Sequence, residues 1–337
     1  MSIDDRYDDL VGSLIGFSRA WLTYLGLELG LFDRLRAAGA DGMTPTELAA
    51  AVAGHPAAID AWATAADAHD LVALEDGRLA VDPELAAILL DEERPEHLGG
   101  QFVHAVVSTL DWDGMLEFFR TGRPIGARPD RYRAAIERLT MQDIAVFFKE
   151  LLAAQPQLVA DLDRGARVLD VHCGGGRWLV AMAKRFSRVR GVGVEFEPDS
   201  VARARATVEA AGLADRVTIE QGDVAAPGHA GEFDLAYFQY ALHAIPEPAA
   251  ALAAAWSALH PGGRLIVLDW PLPSTRDEWR SAYGQLIAGI HLDELYQGTG
   301  LAPREAVLTW FAAAGLSRPE VLELPSGATA WLLGRPG

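Results

Sequence analysis

The segment Val168-Leu169-Asp170-Val171-His172-Cys173-Gly174-Gly175-Gly176 constrains this 337-residue chain more than any other. A short apolar run leads into three glycines, and a helical pattern follows over about Trp178–Arg185. Glycine permits φ > 0 and lets other groups approach the backbone closely, so a strand, a glycine turn and a helix open a doubly wound α/β domain here. The chain after Arg164 keeps alternating. Strands are expected at Arg167–Val171, Gly191–Glu195, Val217–Gln221, Phe233–Phe238 and Arg264–Leu268, with helices at about Asp199–Ala211 and Pro248–Leu259 between them. A last helix at about Arg304–Ala314 precedes two strands near Val321–Leu324 and Ala330–Leu333. That order predicts a Rossmann-like α/β domain with a seven-stranded, mostly parallel sheet.

Carboxylates stand at two further strand ends. Glu195 lies 21 residues after Gly174, where a carboxylate can accept both hydroxyls of a ribose. Asp223, in Glu220-Gln221-Gly222-Asp223-Val224, follows the third strand, where it can accept an adenine amino group. Dinucleotides and S-adenosylmethionine are both bound on such a layout. A dinucleotide site needs Gly-x-Gly-x-x-Gly, its helix N-terminus lying under a pyrophosphate. Gly174 and Gly176 fit that pattern, but Leu179 fills the third position. A sulfonium cofactor has no pyrophosphate and makes no such demand.

The first part of the chain reads differently. Leu14, Phe17, Trp21, Leu25 and Leu29 form one apolar stripe in a helical stretch expected from Leu10 to Leu35. Thr44-Pro45-Thr46-Glu47 looks like a helix start, with a hydroxyl cap and an early acid. Helices are expected over Glu47–Val52 and about Ala57–His69. Leu71–Leu74 and Arg78–Val81 then form a hairpin around Asp76-Gly77. Helix, helix and hairpin in that order make a winged helix. A DNA-reading helix needs basic or amide side chains, whereas the second helix carries Asp60 and Asp67 and no Lys or Arg. Residues 1–100 hold 19 acidic and 6 basic residues and so carry −13 of the net charge of −18. Such a surface repels phosphate backbones, and no nucleic-acid partner is expected.

Composition narrows the classes further. Half of the residues are hydrophobic and the mean hydropathy is +0.10, enough for a sizeable core. The single cysteine, Cys173, makes no internal disulfide, and the nine histidines form no metal-binding pattern. No metal is expected. No unbroken apolar run reaches about 18 residues, and the acidic start is the wrong charge for a signal peptide, so a cytoplasmic protein with no membrane partner is expected. Three parts are expected: a winged-helix dimerisation domain over 1–100, a helical linker and substrate cap over 101–160, and the cofactor-binding domain over 161–337.

With these motifs in place, the chain resembles the class I S-adenosylmethionine-dependent methyltransferases. The likeness is strongest to small-molecule O-methyltransferases with an N-terminal winged-helix dimerisation domain. Tyr24-Leu25-Gly26-Leu27-Glu28-Leu29-Gly30-Leu31-Phe32-Asp33 is similar to that family's opening helix. Leu259-His260-Pro261-Gly262-Gly263-Arg264-Leu265-Ile266-Val267 is similar to its turn into the fifth strand. The resemblance implies S-adenosylmethionine as cofactor, with Asp170, Gly174 and Gly176 bordering its methionine part. Glu195 would then hold ribose, Asp223 and Val224 adenine, and Gln239 would make a polar contact after the fourth strand. Cys173, Phe196 and Tyr240, next to these residues in sequence, complete the expected cofactor set. The resemblance also implies a homodimer through the N-terminal domain. One departure stands out: His172 occupies the position where the family's turn begins with glycine. Either its backbone keeps φ < 0 and the side chain points away, or cofactor binding is weakened.

The resemblance aligns His243 with the family's catalytic histidine, a residue type suited to taking a proton near neutral pH. Asp269 matches one acid that flanks this base. The family's His-Asp-Trp is here His243-Ala244-Ile245, and Leu301-Ala302-Pro303 stands where a Glu-Arg-Thr pattern supplies a second acid. His104, Trp112, Met115, Met141, Trp270, Trp279, His291 and Tyr296 are the candidate substrate contacts. The function expected is methyl transfer to a small molecule, foremost to a hydroxyl of an aromatic or polyketide-like metabolite. The alternatives are C- or N-methylation, a non-methylating cyclisation or decarboxylation that uses the bound cofactor, and a ligand-binding regulator.

Overall fold

The computed structural model describes residues 2–126, 128–226 and 228–337. The chain divides into two compact units: Met1–Gly114 with Ala127–Ala145, and Met115–Gly126 with Val146–Gly337. The segment 101–160 is therefore shared between them.

The first unit opens with the helix Ile3–Glu28, whose N-terminus is closed by a capping box between Ser2 and Asp5. The expected continuous helix to Leu35 breaks at Gly30, which sits at φ 67, and a second helix runs over Leu31–Ala38. The break has a packing cause. Phe32 folds back over Gly26 so closely that a Cβ there would lie 2.3 Å from its ring. Leu31, Phe32 and Leu35 are thereby fully buried, while Leu14, Phe17, Leu25 and Leu29 of the expected stripe lie exposed. The helix Pro45–Ala51 starts with the Thr44–Glu47 capping box, and Pro56–Ala68 follows. Strands β1 (Ala73–Glu75) and β2 (Arg78–Ala80) pair antiparallel. Asp76 and Gly77 both take φ > 0 between them, as a tight primed turn requires. The arrangement is winged-helix-like, and Asp67 has a structural task in it: its Oδ1 accepts the Leu74 N–H at 2.8 Å.

One property of the first helix departs from the run-by-run reading of the sequence. Ile3–Glu28 is long and apolar enough by length and composition to cross a membrane, with a mean hydropathy of 1.2 over 18 residues. A helix tolerates scattered polar residues that interrupt an unbroken apolar run.

The second unit holds strands β3 (Arg167–Val171), β4 (Arg190–Glu195), β5 (Val217–Gln221), β6 (Phe233–Gln239), β7 (Leu259–Asp269), β8 (Glu320–Glu323) and β9 (Thr329–Gly334). Their order in the sheet is β5-β4-β3-β6-β7-β9-β8. The first five are parallel, and β9 is antiparallel to both neighbours. Strand β7 begins five residues before the expected Arg264, and its pairing with β6 shifts register between Phe233 and Leu235. Leu169, Val171, Leu235, Phe238, Leu265 and Val267 are fully buried in the sheet, each contributing about 1.5–3 kcal/mol. The chain winds outward through β3, β4 and β5, then crosses back to lay β6 beside β3. Ligands bind at the carboxyl ends of the strands around such a reversal point.

Candidate functional site

The glycine turn leaves β3 just after Asp170. His172 and Cys173 both donate their N–H groups to the Val194 carbonyl, at 2.9 and 3.2 Å, tying the turn to β4. Gly174 and Gly176 take φ 51 and 71, and Gly176 caps the helix Arg177–Arg185. A Cβ on Gly174 would meet nothing within 4 Å, so this part of the turn is open to a ligand. The Cys173 thiol is turned inward over Gly193, where a Cβ would lie 2.6 Å from its sulfur, and burial pushes its pKa up. Cys173 thus packs its sulfur against the Gly193 backbone.

Both carboxylates of the turn region are buried, and their fates differ. The Asp170 pKa is pushed up to about 8 by burial and by the neighbouring Glu195, and its Oδ1 has no hydrogen-bond partner among the described residues. Burial pushes the Glu195 pKa up as well, but hydrogen bonds outweigh it and hold the carboxyl below its ordinary range. Glu195 Oε1 accepts the N–H groups of Phe196 and Glu197 at 2.9 and 3.0 Å. Oε2 accepts the Gly174 N–H at 3.0 Å and lies 2.7 Å from His172 Nδ1.

His172 therefore does not take the first of the two expected courses. Its backbone is at φ 64, in the left-handed region, and its side chain points at Glu195 rather than away. Its imidazole lies over the exposed Phe196, with ring centroids 5.2 Å apart. Asp223 is exposed after β5 and accepts the Ala225 N–H at 2.9 Å, while Val224 beside it is buried. Gln239 ends β6, and its buried Oε1 has no partner among the described residues.

A second group gathers at the ends of β6 and β7. Tyr240 follows β6 at φ 49 and stacks on Trp270, which in turn stacks on Tyr283, at 5.8 and 5.9 Å between centroids. His243 sits in the 3-10 turn Leu242–Ala244, with Nδ1 2.8 Å from Asp269 Oδ2. Asp269 Oδ1 accepts the Trp270 N–H at 2.9 Å. Burial pushes the His243 pKa down, but the charge and hydrogen bond of Asp269, helped by Glu294, raise it to about 9. His291 is held below its ordinary range by burial and by the charge of His243, and its Nδ1 accepts the Leu301 N–H at 3.1 Å.

Glu294, one turn from His291 on the helix Ala282–Gln297, and Tyr283 are the residues that sequence reasoning missed. Glu294 acts on His243 only through its charge, and its own Oε2 accepts the Thr299 hydroxyl. An i, i+3 His/Glu pair was the available signal, but nothing in the sequence ties that helix to His243.

The remaining substrate candidates scatter. His104, Trp112 and Met141 belong to the first unit, where the buried His104 ring lies 5.7 Å from Tyr132. Met115, Trp270, Trp279, His291 and Tyr296 belong to the second. Tyr296 is buried edge-on against Phe118, 5.5 Å between centroids. Among the described residues, no three His, Cys, Asp or Glu side chains cluster as metal ligands would.

A family model described as a methyltransferase domain matches residues 162–314. Aclacinomycin 10-hydroxylase RdmB from Streptomyces purpurascens is 31% identical over 207 residues, covering 58% of this chain and 54% of that protein. Demethylmenaquinone methyltransferase from Lactiplantibacillus plantarum is 30% identical over 184 residues, covering 50% of this chain and 78% of that protein. Apart from the latter, the chain spans about half the length or less of most of the curated relatives it matches. The solved mitomycin 7-O-methyltransferase MmcR shares the fold over 98% of both chains, with a TM-score of 0.70 at 20% identity. Other solved neighbours of this fold hold S-adenosylhomocysteine. A glycine turn after β3, an acid ending β4, the β5-β4-β3-β6-β7-β9-β8 order and these matches converge: the chain belongs to the class I S-adenosylmethionine-dependent methyltransferases.

Proposed function

We propose that the protein transfers the methyl group of S-adenosylmethionine to a hydroxyl of a small aromatic acceptor, with His243 taking the hydroxyl proton. The observation that carries this reading is the His243–Asp269 pair, 2.8 Å apart at the ends of β6 and β7, beside the stacked Tyr240, Trp270 and Tyr283. The residues present fit the cofactor. Asp170 Oδ1 is buried without a partner and suits an ammonium group; Gly174 leaves open space; Glu195 and Asp223 end β4 and follow β5, where ribose and adenine are held in this fold. When bound, the cofactor supplies a methyl group already activated by a positive sulfur. What remains for the chain is to position the acceptor and to remove its proton.

Asp269 holds His243 by Nδ1, which leaves Nε2 as the nitrogen that takes the proton. With a pKa of about 9 the imidazole is largely protonated at neutral pH, so the basic form grows as pH rises. The stacked aromatic column favours a flat acceptor ring. The test is an assay of a panel of phenols with S-adenosylmethionine by mass spectrometry, with His243→Ala alongside. Methylated product formed by the wild type and lost in the variant supports the reading; equal product from both overturns the base assignment.

A second reading has its own support. RdmB is called a hydroxylase, and this chain lacks both the His-Asp-Trp and Glu-Arg-Thr patterns, which suits use of the bound cofactor without methyl transfer. Accumulation of a new product without S-adenosylhomocysteine would select it.

The reading extends to assembly. A cytoplasmic homodimer in which a second copy covers Leu10, Leu14 and Phe17 accounts for the apolar face of a helix that carries Asp4, Asp5, Arg6, Asp8 and Asp9 at its start. Such a charged start disfavours burial of the helix in lipid. Light scattering should give twice the chain mass, and Leu14→Asp with Phe17→Asp should give a monomer.

A further inference from the structure

A carboxylate offers about four lone-pair sites. All four of Glu195 are taken: Phe196 and Glu197 N–H on Oε1, and Gly174 N–H with His172 Nδ1 on Oε2. Three of these donors are backbone groups fixed by the turns that end β3 and β4. The fourth is a side chain that is 22% exposed and stands on a residue at φ 64, a conformation a histidine adopts only at a cost. A ribose hydroxyl that is to bond Glu195 must displace a donor, and only the imidazole can rotate away.

We propose that His172 is a built-in competitor of the cofactor ribose: it occupies Glu195 until the ribose hydroxyls displace it, and so sets cofactor affinity. The inference rests on the reading of Glu195 as the ribose acceptor. It gives the glycine-to-histidine departure a defined effect. The histidine leaves the turn intact, because His172 and Cys173 N–H still bond Val194. It weakens binding by the free energy of one displaced hydrogen bond to a charged group, together with the loss of its contact with Phe196.

The experiment is calorimetric titration of the full chain with S-adenosylhomocysteine and with its 2′,3′-dideoxy analogue. The proteins are wild type, His172→Gly, His172→Ala and Glu195→Ala, with melting curves to confirm folding. His172→Gly should bind S-adenosylhomocysteine about tenfold more tightly than wild type. His172→Ala, which keeps a Cβ at the same backbone position, should show a similar gain, since the gain comes from freeing Glu195. The preference for S-adenosylhomocysteine over the dideoxy analogue should rise by the same factor. Unchanged or weaker binding in His172→Gly overturns the inference, and so does an unchanged preference, which would mark simple crowding. Loss of binding in Glu195→Ala without a gain in His172→Gly overturns only the competition. Unaffected binding in Glu195→Ala overturns the ribose reading, and the inference with it.

Discussion

Two histidine–carboxylate pairs stand at the carboxyl edge of one sheet, with near-equal geometry and unequal surroundings. His172 meets Glu195 at 2.7 Å, and His243 meets Asp269 at 2.8 Å. Glu195 also accepts three backbone N–H groups, whereas Asp269 accepts one, from Trp270. At Glu195 the charge is shared among three backbone N–H groups and His172, whose hydrogen bond and charge do most to hold the carboxyl below its ordinary range against burial. At Asp269 the histidine is the main partner, so the pair is coupled and the His243 pKa rises to about 9. The bond itself does not define the role; the number of other donors on the carboxylate does.

The sharpest way to break this contrast is to remove each partner in turn. His243→Ala should lower kcat by about 10²–10⁴-fold and leave S-adenosylhomocysteine affinity nearly unchanged. A turnover assay alongside calorimetry checks both halves. Glu195→Ala should do the reverse, weakening cofactor binding by roughly tenfold to a hundredfold with a smaller effect on saturated turnover. If both variants lost affinity alike, the two pairs would form one unit and the contrast would fail.

The smallest effect is the pH dependence, which sharpens the comparison at Asp269 alone. The His243 pKa is raised from an ordinary 6.5, so the pair stabilises the fold fully below about 6.5, and that stability is lost as pH rises towards about 9. The melting temperature should therefore fall over this window, by an amount on the order of a few kcal/mol of stability at most. Turnover should rise over the same window as the base is freed. Asp269→Asn should make the stability trend shallower and move the turnover midpoint down; the trend that remains up to about pH 8 belongs to the buried Asp170, whose raised pKa also loses stability as pH rises. A wild-type turnover that is flat from pH 6.5 to 9 would remove His243 from the proton transfer.

Much of the second unit was legible because its signals are local. Strands β3 and β5 run over the expected residues: β3 as a nearly continuous buried run, and β5 as an alternation of apolar and polar residues that stops at Gly222. The helix Pro45–Ala51 starts where a hydroxyl cap and an acid three residues on predicted it. Where expectation failed, the cause lay in packing. The first helix stops at Gly30 because Phe32 folds back on Gly26, a contact no periodicity reveals.

By itself the sequence determined the Rossmann-like domain, the winged-helix order before it, and which residues end the strands. Those follow from alternation, caps and turn residues, which act over a few residues. Tertiary structure alone decided what those ends meet: that His172 turns onto Glu195, that Asp170 is left with an open oxygen, and that Glu294 and Tyr283 join the His243 group. Each of these depends on which strands become neighbours and how far a carboxylate is taken from water, and both are set by the packed sheet and not by spacing along the chain.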